Sequence, residues 1–416
     1  MIKKITDGLK YWGQLLGLPV YWLSFVVPKD KNLWVFGSTF GRRFADNPKY
    51  LYLYTAQFHG DKTKAVWISH NKDIVKLLND NGYEAYYYHS LKGMWQCLRA
   101  KIYIFDNYSK DISFWLSGGA IKFNLWHGSG NKKTNYDNKF DTVRHPKNTW
   151  EKFKTFPRRL SDEKPHHYTL ATSPMMAKIF TSAFNTDMAH IVQEGYPRND
   201  VLFDDINIKN IYSEEEKQII RKLQEKHEAG MKIIYYMPTF RASESLFFDV
   251  MDLEKFNEFL KENNYMFYTK LHPKSKLKEK FSKIKYSNIE DINPEVDTYV
   301  ILRFGDMLTT DYSSIYSDYL MLDRPSVLFP YDFEEYSKDT RECYFEYDEY
   351  MPEVKTYTMD EFKKEIKHTF EEDLYQAGRK ELRDRIFAKT DGLSCKRLYD
   401  KVCEIIDNGR QLEGEK

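Results

Sequence analysis

The fold is decided by a stretch near the start of the chain, KAVWISHNKDIVKLLNDNGYEAYYYHS (64–90). It contains a short apolar strand, a helical segment and a second strand, in that order. Gly82 follows the helical segment, where glycine is a typical helix stop. Strands that alternate with helices are typical of a parallel sheet with helices on both faces, so this stretch predicts part of such a sheet.

The same alternation extends through most of the chain. In the first half, strand-like segments are NLWVFGS (32–38), KIYIFDN (101–107), IKFNLWHG (121–128), YTLATS (168–173) and HIVQEGYP (190–197). A charged helical connector, SEEEKQIIRKLQEKHEAG (213–230), follows. The strands then resume as KIIYYMPTF (232–240), YMFYTKLHP (265–273), KYSNIED (285–291), DMLTTD (306–311) and SVLFPYD (326–332).

These segments predict an α/β fold with two doubly wound, Rossmann-like domains facing a cleft. We expect an N-terminal helical segment at 1–30, a first domain at 31–205, a second at 206–375, and C-terminal helices with a polar tail at 376–416. Ligands of such sheets bind beyond the carboxyl ends of the strands. A candidate site residue should therefore follow a strand directly.

The first thirty residues differ from the rest of the chain. Their apolar run, LLGLPVYWLSFVV (15–27), carries no charge, but it is shorter than the ~20 apolar residues that span a membrane, and Pro19 interrupts it. One interpretation is a core helix of the first domain. The other, which we favour, is an interfacial helix with Trp12, Tyr21 and Trp22 at the headgroup level and nearby lysines on anionic lipid.

Composition excludes some classes of function. Lys+Arg is 63 and Asp+Glu is 62, a net charge of +1 that argues against nucleic acid as the main partner. The four cysteines lack the paired spacing of a zinc site, and no P-loop or G-x-G-x-x-G follows a strand. We therefore predict no required metal or bound cofactor.

Two histidines follow apolar strands. His127 lies in WHGSGNKK (126–133), where Gly128 permits close backbone approach and Lys132 follows in the loop. His272 ends the strand of LHPKSK (271–276). Each is either a general base near an anionic group or a histidine hydrogen-bonded in a turn, and their matching positions in the two predicted domains favour the first interpretation.

Other polar residues also follow strands. Ser313 or Ser314, in LTTDYSSIYSDYLML (308–322), would cap a helix whose free N–H groups attract anions, although such caps are frequent in ordinary helices. Arg198 and Arg241 could clamp phosphate oxygens, although Arg198 could equally pair with Asp200. The full candidate substrate-binding set is Asp46, Asn47, Lys132, Arg198, Thr239, Arg241, Asp311, Ser313, Ser314 and Asp332.

Taken in order, these motifs resemble the CDP-glycerol glycerophosphotransferase family of teichoic acid biosynthesis. The matching pieces are FADNPKYLY (44–52), NLWHGSGNKK (124–133), EGYPRNDVLF (194–203), YYMPTFR (235–241), KLHPKSK (270–276), DMLTTDYSSIYSDYLMLDRPSVLFPYDFEEY (306–336) and DGLSCKR (391–397). The chain departs from the family pattern at Phe240, where tryptophan is usual, and at Pro352-Glu353, where Pro-Gly is usual. These departures leave the donor's polyol open.

The resemblance implies a GT-B-like fold, a CDP-polyol donor, a lipid-linked or polymer acceptor, and peripheral attachment to the cytoplasmic face of the membrane. It implies that His127 and His272 are essential, and that the donor lies near Thr239, Arg241, Ser313 and Ser314. Two alternatives stay open at this point: a nucleotide-sugar glycosyltransferase of capsule or lipopolysaccharide synthesis, and a non-catalytic nucleotide-binding scaffold.

Overall fold

A computed structural model describes residues 11–163, 166–203, 208–241, 246–272, 275, 277, 281, 285–334, 336 and 342–414. The chain divides into two compact units, which we call unit 1 and unit 2. Unit 1 comprises residues 1–127, 133–211 and 388–416. Unit 2 comprises residues 128–132 and 212–387, so the short loop after His127 belongs to it.

Unit 1 is built on a seven-stranded sheet in the order β3-β2-β1-β4-β5-β6-β7, in which every neighbouring pair is parallel. The strands are β1 (Asp30–Phe36), β2 (Lys64–Ser69), β3 (Ala85–Tyr87), β4 (Ala100–Phe105), β5 (Ile121–Asn124), β6 (Tyr168–Ala171) and β7 (Ile191–Gln193). The last four residues of β1 are all buried, as expected for a parallel strand that helices cover on both faces.

The α-helices of unit 1 connect these strands and cover the sheet. They are Leu18–Ser24, Asp46–Phe58, Lys72–Asp80, Leu91–Arg99, Thr149–Asp162, Pro174–Ala183 and Ser394–Gly414. Local chemistry sets several of their starts: the side chains of Asn71, Ser90 and Ser173 each accept a backbone N–H of the first turn.

Unit 2 contains a smaller parallel sheet of five strands in the order β10-β9-β8-β11-β12. The strands are β8 (Lys232–Tyr236), β9 (Tyr265–Thr269), β10 (Ile289–Asp291), β11 (Met307–Thr310) and β12 (Ser326–Leu328). Its helices are Glu214–Glu228, Leu246–Val250, Leu253–Glu262, Thr298–Leu302, Ile315–Tyr319, Tyr347–Tyr350, Met359–Glu371 and Gln376–Ile386. An aromatic-rich core, with Phe256, Phe267 and Phe362 at its centre, packs against one face of this sheet.

The α/β prediction with two parallel sheets is confirmed, and each strand-like segment predicted from the sequence contains a strand. The compact units divide differently from the predicted domain limits: residues 376–387 lie with unit 2, whereas 388–416 return to unit 1. Packing explains this return, because the ring of Tyr399 lies 5.2 Å from that of Trp34.

The described part of the N-terminal segment packs against residues 114–118 of unit 1. Tyr21 stacks on Phe114 at 4.7 Å, and the backbone N–H of Gly118 donates to Ser24 Oγ. Residues 1–10, with the predicted lysine-bearing face, lie outside the described residues. Among the helices that the structure describes, none is both long and apolar enough to cross a membrane.

Candidate active site

His127 lies just beyond the carboxyl end of β5 and is exposed. The backbone before it is unusual, because Trp126 adopts a positive φ of 52°. The Nδ1 atom of His127 lies 3.0 Å from the carbonyl oxygen of Asp106. A carbonyl only accepts, so Nδ1 carries the hydrogen, and the lone pair of the neutral ring resides on Nε2. The imidazole therefore has the tautomer that a general base requires.

A buried network fixes the backbone on either side of this histidine. Arg198 Nη1 donates to the carbonyl oxygen of His127 at 2.9 Å and to Asp46 Oδ1 at 2.8 Å. The Asn47 side chain donates to the carbonyl of Trp126 and accepts the backbone N–H of Arg198. The structure thus brings Asp46, Asn47, His127 and Arg198 together in unit 1.

The sequence left two interpretations of Arg198 open, a phosphate clamp and an ion pair with Asp200. Its guanidinium is almost fully buried and pairs with Asp46 rather than Asp200. Asp200 instead accepts the backbone N–H groups of Ser394 and Cys395 at the start of the last helix. In this arrangement Arg198 is placed to hold the histidine loop, which differs from the expected phosphate clamp.

Sequence reasoning missed a pair of buried acids beside His127. Asp106 follows β4 directly, and its carboxylate accepts from Ser38 Oγ and from the Thr39 N–H. Asp111 accepts the N–H groups of Phe40 and Asn107. Burial raises the pKa of both acids, and their mutual proximity raises that of Asp111 further. The position of Asp106 after a strand was the signal that could have identified it.

In unit 2, Arg241 is buried and held by two carboxylates. It forms a bidentate pair with Asp332, and its Nη1 lies 2.6 Å from Asp311 Oδ2. Nη1 also donates to the carbonyl of Thr239, whose own N–H donates to Asp311 Oδ1. Arg241 therefore positions the loop after β8, rather than offering the open fork that a phosphate clamp needs.

Thr239, in contrast, offers a group to a ligand. Its hydroxyl oxygen is buried and has no hydrogen-bond partner among the described residues. A buried hydroxyl without a partner is costly, so ligands or water usually satisfy such a group. The hydroxyl lies in the loop that follows β8, the place expected for a ligand of this sheet.

The predicted serine cap is only partly correct. Ser314 is the residue before the helix Ile315–Tyr319, but its side chain makes no capping hydrogen bond, and its backbone is already helical. The helix is only five residues long, which leaves little aligned dipole for an anion. The loop 128–132 approaches this turn: a Cβ on Gly130 would lie 3.2 Å from that of Ser314.

His272 follows β9 and is exposed, with its ring centre 5.1 Å from that of Phe240. Phe240 occupies the position where the family usually has tryptophan. His272 therefore lies beside a residue at which this chain differs from the family pattern. Part of the LHPKSK segment lies outside the described residues, namely 273, 274 and 276.

Lys132 lies at an aromatic pocket within unit 2. Its Nζ is 5.0 Å from the ring centre of Tyr336, which stacks on Tyr312 at 3.9 Å. The pocket has a volume of about 570 Å³, and Phe333, Tyr347 and Glu346 also line it. The guanidinium of Arg241 lies 5.7 Å from the Tyr312 ring. Sequence reasoning did not single out these tyrosines, because Tyr312 and Tyr336 come together only in the folded chain.

No group of three or more His, Cys, Asp or Glu side chains suited to a metal ion occurs in the described part of the chain. The expectation that the reaction needs no metal or cofactor stays a prediction.

Comparison with known proteins decides the family. The sequence profile of the CDP-glycerol:poly(glycerophosphate) glycerophosphotransferase family matches residues 20–404. The chain belongs to this family. The resemblance inferred from the motifs is thereby confirmed, and with it the assignment as a transferase.

Relatives of known role are similar at modest identity. A teichoic acid glycerol-phosphate transferase of Staphylococcus aureus is 28% identical over 340 residues, which are 78% of this chain and 80% of the relative. A teichoic acid poly(glycerol phosphate) polymerase of Staphylococcus epidermidis is 29% identical over 338 residues. That match covers 78% of this chain but only 43% of the polymerase.

A solved structure shares the fold. The wall teichoic acid polymerase TagF aligns with a TM-score of 0.72 over 98% of this chain and 99% of that one, at 21% identity. At this identity the likeness supports the architecture alone.

Proposed function

We propose that this protein transfers a polyol phosphate, with glycerol phosphate the first candidate, from a CDP-polyol to a hydroxyl of a lipid-linked or polymer acceptor. The observation that carries the proposal is His127: in a member of this family, it stands beyond a strand end with Nδ1 bonded to a carbonyl and Nε2 left as the basic atom. Its exposure allows a substrate hydroxyl to reach it.

In the proposed reaction the acceptor oxygen forms a bond to the β-phosphorus of the donor. The bond from that phosphorus to the bridging oxygen breaks, and CMP leaves with the oxygen and its electron pair. His127 Nε2 takes the proton of the acceptor hydroxyl. General base catalysis of this kind raises the reaction rate by about 10²–10⁴-fold. Arg198 and Asn47 act as positioning residues, because they hold the backbone of His127 and Trp126.

Unit 2 is proposed to bind the donor. His272, Ser313, Ser314 and the Thr239 hydroxyl offer donors to phosphate oxygens at or near the carboxyl ends of its strands. Arg241 with Asp311 and Asp332 keeps the Thr239 loop in place. Charge that develops on the transferred group would be offset by hydrogen bonds from these groups.

We also propose peripheral attachment to the cytoplasmic face of the membrane. The N-terminal segment has exposed apolar side chains, namely Leu16, Val20, Trp22, Leu23, Phe25 and Val26. The helix Thr149–Asp162 exposes Trp150, Phe153 and Phe156, and Trp12 lies 4.8 Å from Phe153. Basic side chains on that helix, Lys152, Lys154 and Arg158, suit anionic lipid.

The test is incubation with CDP-glycerol or CDP-ribitol and a lipid-linked disaccharide analogue, read by released CMP and by the mass of the product. We expect one polyol phosphate to be added for each CMP released. A product that gains a sugar without phosphorus would instead establish a glycosyltransferase. Binding of CDP-polyol without any CMP release would establish a nucleotide-binding scaffold.

A further inference from the structure

Asp106 and Asp111 form a pair of buried carboxyl groups beside the candidate base, and the proposed reaction does not use them. Both residues follow β4, Asp106 is 1% exposed and Asp111 is fully buried. Their side chains lie in hydrogen-bonding contact with each other. Asp106 also accepts the Nδ1 hydrogen of His127 through its main-chain carbonyl. The pair is therefore joined directly to the imidazole of the candidate base.

The hydrogen-bond donors around the pair are divided between the two acids. The consecutive N–H groups of Thr39 and Phe40 donate to Asp106 at 3.0 Å and to Asp111 at 2.9 Å, respectively. The side-chain amide of Asn107 donates to Asp106 and its backbone N–H donates to Asp111, both at 2.9 Å. Neighbouring donors of one segment reach two carboxyl groups in this way only where the groups lie side by side.

These hydrogen bonds hold a strained stretch of backbone. Thr39 and Phe40 have positive φ values of 49° and 55°, a region that residues other than glycine seldom occupy. Such a conformation is costly and persists only where the surrounding structure imposes it. The two carboxyl groups impose it here, because both N–H groups turn towards them. The pair thus fixes the loop after β1 as well as the ring of His127.

No cation neutralises the pair among the residues that the structure describes. The basic side chains of the neighbouring loops, Lys110 and Arg144, form ion pairs with Asp162 and Asp141 instead. Two adjacent carboxylates without a cation repel each other, so one of the two groups keeps its proton. Burial raises the pKa of both acids, and the charge of its neighbour raises that of Asp111 further.

The other titratable groups around the pair do not replace a cation. His70 bonds the backbone of the same loop and His166 packs against it, but burial lowers the pKa of both, that of His166 to about 3. Neither ring therefore supplies a positive charge near neutral pH. Asp46 adds a negative charge, which its ion pair with Arg198 offsets. His127 remains as the neighbour whose charge changes during the proposed reaction.

We propose that Asp106 and Asp111 share a single proton and so keep one negative charge beside His127. The inference rests on the proposed function, in which Nε2 takes the proton of the acceptor hydroxyl and the ring becomes positively charged. The charge of the pair then stabilises the imidazolium, while the Asp106 carbonyl keeps Nδ1 bonded. Both acids are positioning residues, because they act through His127. A second charge would favour a ring that is protonated before the substrate arrives, and a neutral pair would leave the imidazolium without a counter-charge.

NMR of the parent counts the protons on the pair. The carboxyl carbon of aspartate, labelled with carbon-13, resonates at different positions in its protonated and ionised forms. Asp106→Asn and Asp111→Asn assign the two resonances, since each variant loses one of them. At pH 7 we expect the two positions together to account for one proton. Two resonances at the ionised position, or two at the protonated position, would each overturn the proposal.

The pH profile of CMP release tests the effect on His127. In Asp106→Asn the remaining acid carries the charge, so we expect the acid limb of the profile to stay within about 0.3 pH unit of the parent's. Asp106→Asn/Asp111→Asn removes the charge. The acid limb should then move to lower pH by about one unit, and kcat should fall by roughly tenfold at unchanged KM. Asp73→Asn, an exposed aspartate of the same unit, should match the parent.

The outcomes separate this inference from the proposed function. A shifted acid limb in the single variant would show two charges on the pair, and an unshifted limb in the double variant would show none. Either result overturns the shared proton, as does a double variant in which only KM changes. If the parent releases no CMP from any CDP-polyol, the proposed function is wrong. The NMR count in the parent then decides the inference, and it also does so if the double variant does not fold.

Discussion

The Nδ1 atom of His127 donates to the main-chain carbonyl of Asp106 across 3.0 Å, which fixes the tautomer that presents Nε2 to a substrate. Replacing His127 by Gln removes the base while keeping a side chain that can donate to the same carbonyl. We expect CMP release to fall by about 10²–10⁴-fold with little change in the melting temperature. His89→Gln, an exposed histidine of the same unit, is the control, and parental turnover in His127→Gln would remove this residue from the base role.

Arg198 joins the histidine loop to the start of the helix Asp46–Phe58. Replacing it by Met leaves Asp46 and the His127 carbonyl without their shared donor, so we expect the free energy of unfolding to fall by about 3 kcal/mol. Turnover at low temperature should also fall, because the imidazole is no longer held. Chemical denaturation and CMP release measure the two effects, and Arg198→Lys should recover part of each. A fully active, equally stable Arg198→Met would contradict the positioning role.

Arg241 holds the Thr239 loop through a planar fork that lysine cannot reproduce. We expect Arg241→Lys to weaken the binding of CDP-polyol by about tenfold, because the Thr239 hydroxyl loses its fixed position. Calorimetric titration measures this affinity. Arg221→Lys, on the exposed side of the helix Glu214–Glu228, should bind the donor as the parent does. Equal affinities of the two variants for CDP-polyol would show that the Thr239 loop does not contribute to donor binding.

Glu353, which replaces the usual glycine of the family, makes stability depend on pH. It is buried, accepts from Tyr316 Oη and lies 3.7 Å from Arg379. Burial raises its pKa to about 7, against the opposing effects of Tyr316 and Arg379. The native state therefore binds this proton more tightly than the unfolded chain, so the stabilisation is complete below the unfolded pKa near 4.5 and is lost as pH rises through 7.

Denaturation at pH 5 and at pH 8 tests this linkage. The parent should lose about 2.5 kcal/mol more than Glu353→Gln over that interval, since each unit of pKa shift is worth about 1.4 kcal/mol and the unfolded carboxyl is already mostly ionised at pH 5. Glu349→Gln, an exposed acid nearby in sequence, should follow the parent. Identical pH profiles for the parent and Glu353→Gln would show that this carboxyl does not titrate in the range.

The strands were predictable because each is a short apolar run. Such runs are buried when helices cover both faces of a sheet. The carboxyl-terminal halves of β1 and β4 are fully buried, and the sequence alone predicts both strands. Asp106 could have been identified as a candidate site residue by the same reasoning, since it follows β4 directly. The sequence does not show, however, that Asp111 lies beside it in the folded chain.

The partners of the two arginines could not be read from the sequence. Asp46 and Arg198 are separated by 152 positions, and Arg241 and Asp332 by 91. Only the completed sheets bring their loops together. The exposed Trp150, Phe153 and Phe156 were also missed, because aromatic residues at helical spacing predict a buried face as readily as an exposed one.

The helix Ser394–Gly414 belongs to unit 1, although the chain passes through unit 2 before it reaches this helix. Its first backbone N–H groups donate to Asp200, and Tyr399 covers Trp34. During synthesis, the residues of unit 2 therefore leave the ribosome before unit 1 has its last helix. Unit 2 therefore has all of its own residues at a stage when unit 1, which carries His127, still lacks this helix.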